Sequence, residues 1–125
     1  WEMAAKTAGD VLVRMALVPR VLEARGLDVT PAMIRRLQQA GDADSVAILE
    51  RIYADEIGHV EIGSRWYRFL CAQRGLEPAA TFRILLADYA MDRIKSPVNA
   101  AARAQAGFDP EELAMLREMA GERGA

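Results

Sequence analysis

The sequence predicts an all-α fold. Three observations carry this. Apolar residues recur at helical spacing nearly throughout, no segment alternates β-branched and polar residues with period two, and Gly, Pro and Asp/Ser/Thr punctuate the chain where helices would stop and start. With 125 residues, 52% of them hydrophobic, the chain can bury a single-domain core. The 16 Lys+Arg against 18 Asp+Glu give a formal net charge of −2, without the basic stripe that marks a nucleic-acid surface. No apolar run approaches the ~20 residues of a membrane span. One Cys and one His exclude both an internal disulfide and a four-ligand Cys/His zinc site. A cytoplasmic, membrane-free protein with no strong nucleic-acid signal is the expectation. The chain opens at Trp1, and Glu2 to Met15 already reads as helix interior, so it also reads as the later part of a longer protein.

The first helix is expected from about Glu2 to Arg25, stopped by Gly26 and kinked or broken at Pro19, which lacks an amide donor and collides with the Met15 carbonyl. Thr30-Pro31 then reads as N-cap and N1 of a short helix to Ala40, before Gly41. Asp42 can cap a long helix, about Ala43 to Arg74, that would run roughly 48 Å at 1.5 Å per residue before Gly75 ends it. Glu77-Pro78 opens a helix to about Met91. Ser96-Pro97 opens another to about Gln105, and Asp109-Pro110 with Glu112 a last one to about Ala120. Residues 1–75 are thus a kinked helical hairpin, and residues 76–125 a C-terminal helical extension of the same domain.

The chemistry-bearing residues lie on the long helix. Alternating steps of three and four pick out Val46, Leu49, Tyr53, Glu56, Val60, Gly63, Tyr67 and Leu70, a core seam broken by one carboxylate. A carboxylate facing a core must be paired, protonated or bound to a metal. The stripe beside it reads Ile52, His59 and Trp66, which puts the sole His one turn from Glu56 on the same side. Glu-x-x-His at i, i+3 is the arrangement by which helical bundles hold di-iron centres, because carboxylate oxygens and one imidazole per ion suit iron or manganese. Glu23, in register with Leu12, Ala16 and Pro19, also points toward a core. If the short helix prolongs the first one, its roughly 15 Å of rise brings Glu23 level with Glu56.

Three stretches, MALVPRVLEARGLDVTP (Met15 to Pro31), DEIGHVEIGSRW (Asp55 to Trp66) and SPVNAAARAQAGF (Ser96 to Phe108), closely resemble the uncharacterised ferritin-like proteins grouped as domain-of-unknown-function family 455. That family is similar in turn to ferritin-like di-iron oxidases and hydroxylases, including a tRNA hydroxylase acting on a modified adenosine. The resemblance covers essentially the whole chain but only the C-terminal half of such a bundle, its third and fourth helices. It implies that Glu23 and His59 are terminal ligands and Glu56 a bridging one in a site for two iron or manganese ions. It also implies an oxygen-dependent oxidoreductase or hydroxylase of unknown organic substrate, with a small molecule or modified nucleoside as candidates. The first Glu and first Glu-x-x-His of the full ligand set have no counterpart here. They would come from an N-terminal half of the same protein or from a homodimer mate.

Plainer readings stand beside these. His59 could be a core histidine satisfied by Asp55, and Glu23 could pair with Arg20 or Arg25. Asp55 could instead orient a metal-bound His59. Tyr53, Trp66 and Tyr67 read as core, Gly58 and Gly63 as close helix approach or a bulge, and Cys71 as a small buried apolar residue. Asn99 and Arg103, one turn apart, either cover a pocket mouth or tie their helix down. The alternative functions are a metal-free helical module that docks through the kinked first helix and the C-terminal helices, and iron oxidation or storage without an organic substrate.

Overall fold

A computed structural model of the chain describes residues 9–122. Those residues are helical with no strand. α1 spans Val11–Leu17, a π-helical turn spans Val18–Glu23, α2 spans Arg25–Gln39 and α3 spans Ala43–Arg74. α4 spans Pro78–Tyr89 and is followed by a 3-10 turn at Met91–Arg93, then by α5 (Ala100–Gln105) and α6 (Pro110–Met119). The expected helix start at Glu2 lies outside the described residues. Within them α1 starts at Val11, where the Asp10 carboxylate accepts from Leu12 N at 2.9 Å.

The predicted stop at Gly26 and restart at Thr30-Pro31 are corrected: all three residues lie inside α2. A helix-interior Pro orphans the carbonyl four residues back, here that of Leu27. That carbonyl accepts instead from Asn99 Nδ2 at 3.0 Å, so a side chain from α5 supplies the donor that Pro31 lacks. Through the π-turn, α1 and α2 make one bent rod. The chain then reverses at Gly41 and runs antiparallel along α3.

α3 has the expected bounds. Asp42 accepts from Ser45 N at 3.1 Å at its start, and Gly75 takes the left-handed conformation (φ 67) at its end, with Leu76 N donating to Cys71 O at 2.9 Å. α5 begins at Ala100 rather than at Pro97. Asn99 is its cap, and Ser96 Oγ donates instead to Glu122 Oε1 at 2.6 Å. Asp109 and Glu112 form the capping box the sequence announces for α6.

Leu17 and Leu27 from the bent rod, Val60 and Tyr67 from α3, Phe82 and Leu86 from α4, and Leu116 from α6 fill one buried core. The C-terminal helices therefore pack on the inner face of the rod–α3 hairpin. The opposite face of α3 is left uncovered among the described residues.

Candidate metal centre

The π-turn determines where Glu23 points. Ala24 N donates to Pro19 O, five residues back, at 3.0 Å. In a regular α-helix the Pro19 ring would press on the Met15 carbonyl; the wider turn relieves that contact and rotates the residues after it. The inner side of the turn is anchored by Arg20, which is fully buried. Its Nη1 and Nη2 donate to Glu112 Oε2 and Oε1, both at 2.7 Å, and its Nε to Ser64 Oγ at 3.1 Å. The guanidinium also lies 4.8, 4.6 and 4.3 Å from the ring centroids of Tyr67, Phe82 and Phe108. Glu23 leaves the far end of this turn, three residues on.

Glu23 comes beside Glu56 and His59, from a different helix. Its carboxyl lies within hydrogen-bonding reach of Glu56, and its pKa is raised above the ordinary 4.5. Partial burial of the carboxyl is the largest cause and the Glu56 charge the second; His59 opposes them, and the hydrogen bond to Glu56 adds to the rise. His59 Nδ1 stands 3.5 Å from Glu56 Oε2. The bent rod thus brings the two glutamates to one level.

Two expectations about burial are corrected. Glu23 is exposed, and the His59 side chain is 66% exposed against 28% for Glu56. The stripe Ile52, His59, Trp66 does not share the buried side of the seam Val60, Gly63, Tyr67. It belongs to a second heptad line, Ile48, Ile52, Asp55, His59, Ile62, Trp66 and Phe69, on the outer face of α3. The five large apolar members of that line are each 47–61% exposed. Trp66 and Phe69 meet edge to face at 5.8 Å, beside a cavity of about 480 Å³. Among the described residues no three His, Cys, Asp or Glu side chains close around a space that could hold a metal ion. The three side chains adjoin without enclosing.

Arg20 is committed to Glu112, and Arg25 Nη1 and Nη2 donate to the carbonyls of Lys95, Ser96 and Pro97, so neither ties up Glu23. Asp55 is exposed, and Glu56 rather than Asp55 faces His59. Asn99 and Arg103 tie α5 down. Besides the Leu27 carbonyl, Asn99 Nδ2 donates to Tyr53 Oη at 2.7 Å, one turn before Glu56. Arg103 grips Asp28 through Nε (2.9 Å) and Nη2 (2.6 Å). Cys71 is buried, and burial pushes its thiol pKa up. The sequence reading missed the Arg20–Glu112 pair. Its signal was available, since Arg20 follows Val18-Pro19 on the buried side of a helix, but its partner lies 92 residues away.

The model of the family described as "Protein of unknown function (DUF455)" matches residues 1–114. The chain belongs to this family. A relative from Haemophilus influenzae described as an uncharacterised protein is 50% identical over 119 residues, which cover 95% of this chain and 41% of that protein. The chain therefore spans about two-fifths of the relative's length. No solved structure matches it. Among the described residues no helix is long and apolar enough to cross a membrane.

Proposed function

We infer that this DUF455 chain works as part of a larger helical bundle, docking other helices along the outer face of α3. The observation that carries this reading is the open heptad line from Ile48 to Phe69, since a soluble domain rarely leaves so continuous an apolar stripe in water. It places the docking on α3, where the sequence reading had expected the first and C-terminal helices. The occupant is a pair of amphipathic helices from the same polypeptide, of the kind for which the unmatched three-fifths of the Haemophilus relative has room. Trp66→Lys in the natural full-length protein tests it. A lowered unfolding midpoint is expected, and an unchanged one overturns the reading.

A second reading builds on the first and is favoured by the meeting of Glu23, Glu56 and His59. The docked helices would close these side chains into a ferritin-like carboxylate site for two iron or manganese ions. Two carboxylates and one imidazole fit half of the usual set of four Glu and two His, and the partner helices would supply the rest. Glu23, Glu56 and His59 would hold the ions from this side, and a cation there would offset the repulsion between the two glutamates. Bound there, the metals would supply the redox chemistry of an oxygen-dependent oxidoreductase or hydroxylase acting on an organic substrate. Iron and manganese content of the full-length protein, compared with His59→Ala and Glu56→Ala, decides this. Equal metal in all three leaves only the docking role.

A further inference from the structure

The loop between α4 and α5 folds over the start of α2 and borders an open cavity of about 340 Å³, lined by Val21, Leu22, Arg25, Asp92, Arg93 and Lys95. The loop is pinned at several points. Arg25 Nη1 donates to the carbonyls of Lys95 (2.6 Å) and Pro97 (3.0 Å), and Nη2 to that of Ser96 (3.1 Å). Glu122 Oε1 accepts from Ser96 Oγ at 2.6 Å and from Val98 N at 2.9 Å, and Asp28 Oδ1 accepts from Asn99 N at 2.8 Å. A wall held this way is preorganised, so a ligand would not have to order it.

The charge on that wall is unbalanced. Three cations face one carboxylate, Asp92, in a chain whose net charge is −2. Arg25 lies 3.4 Å from Asp28, but Arg103 holds the same carboxylate at 2.6 Å, so Asp28 cannot neutralise both. Arg93 and Lys95 have no carboxylate within ion-pair distance among the described residues. An excess of two positive charges calls for a dianion. A carboxylate brings one negative charge, whereas a phosphate monoester, with its second pKa near ~6, brings close to two at neutral pH. Val21 and Leu22 offer an apolar strip beside the cations, suited to the uncharged part of a ligand.

We propose that this cavity binds the phosphate monoester of a small organic ligand, with Arg93 and Lys95 gripping the phosphate and Val21 and Leu22 receiving the apolar portion. Arg25 acts as a positioning residue that holds the loop carrying both cations. The proposal stands apart from the metal reading, because none of these six residues belongs to the Glu23, Glu56, His59 group.

The test is an amide NMR titration of the natural full-length protein with phenyl phosphate, inorganic phosphate, phenol and acetate. Saturable shifts at residues 21–25 and 92–95 are expected with phenyl phosphate, weaker binding with inorganic phosphate, and no saturation with phenol or acetate. Both Arg93 and Lys95 are exposed, so R93A/K95A is expected to keep the fold and to lose about tenfold or more in affinity. R93K/K95R, which preserves charge, is expected to bind within a few-fold of the unaltered chain. Should the double alanine variant not fold, Lys95→Glu alone carries the same expectation of loss. Shifts that rise linearly without saturating, acetate binding as well as phosphate, or unchanged affinity in the charge-removing variants would each overturn the proposal.

Discussion

Pro19 of the π-turn rests on Gly63 of α3 so closely that a Cβ added at Gly63 would meet the Pro19 ring, 2.5 Å from its Cγ. The bent rod and the long helix touch here through the two residues that sequence rules would call helix breakers. Gly63→Ala gains helix propensity, worth about 1 kcal/mol, but drives a methyl into a rigid ring, and overpacking of this kind costs about 1–3 kcal/mol. A net loss of stability in urea denaturation is expected. Gly63→Ala should cost less in a Pro19→Gly background, which removes both ring carbons that the methyl meets; a stabilised single variant would mean the contact is looser than described.

Arg20 and Glu112 are fully buried and bidentate, so removing one partner leaves the other charge buried and underpaired, Glu112 with only Arg68 at 3.6 Å and the Asp109 amide at 3.1 Å. Arg20→Met or Glu112→Met is expected to cost about 3–5 kcal/mol, with the double Met variant costing less than the sum of the two. A double-mutant cycle by urea denaturation measures this. Additive losses would show that the two side chains do not depend on one another.

Asn99 supplies a donor to the carbonyl orphaned by Pro31. Asn99→Ala is expected to cost about 1–3 kcal/mol, since it leaves the Leu27 carbonyl unpaired and uncaps α5. Pro31→Ala restores a backbone donor four residues after Leu27. In thermal unfolding, the Asn99→Ala loss should therefore be smaller in a Pro31→Ala background than in the unaltered chain.

Glu23 has a pKa raised above 4.5, first by burial and then by Glu56. The folded chain thus binds this proton more tightly than the unfolded chain does. Its contribution is fully favourable below pH 4.5 and is lost as pH rises through the raised value, so ionised Glu23 burdens the fold at neutral pH. Glu23→Gln is expected to be more stable than the unaltered chain at pH 7, by a margin that vanishes below pH 4.5. Denaturation across that range reads the difference, and a margin that grew toward acid would contradict it.

Much of the architecture was legible because the signals were local. The bounds of α3, the caps at Asp42 and Asp109 and the stop at Gly75 each depend on residues within a turn of one another. The misread boundaries share one cause. Gly26 and Pro31 end helices by default, and Pro31 does not because Asn99, 68 positions later in the chain, supplies the missing partner. Ser96-Pro97 looked like a helix start, but Arg25 and Glu122 hold that segment as a loop.

For the candidate site, composition and spacing were enough to single out Glu23, Glu56 and His59, since carboxylates and a lone imidazole on apolar helical stripes stand out in any sequence. Spacing also picked out the stripe Ile52, His59 and Trp66 beside the core seam of α3, but set it on the same buried side, because periodicity is a property of one helix alone. Which seam is filled is a property of what lies opposite. Only the tertiary structure decided that the Val60–Tyr67 line meets the core while the His59–Trp66 line stays open, because burial is a relation between helices and no single stripe contains it.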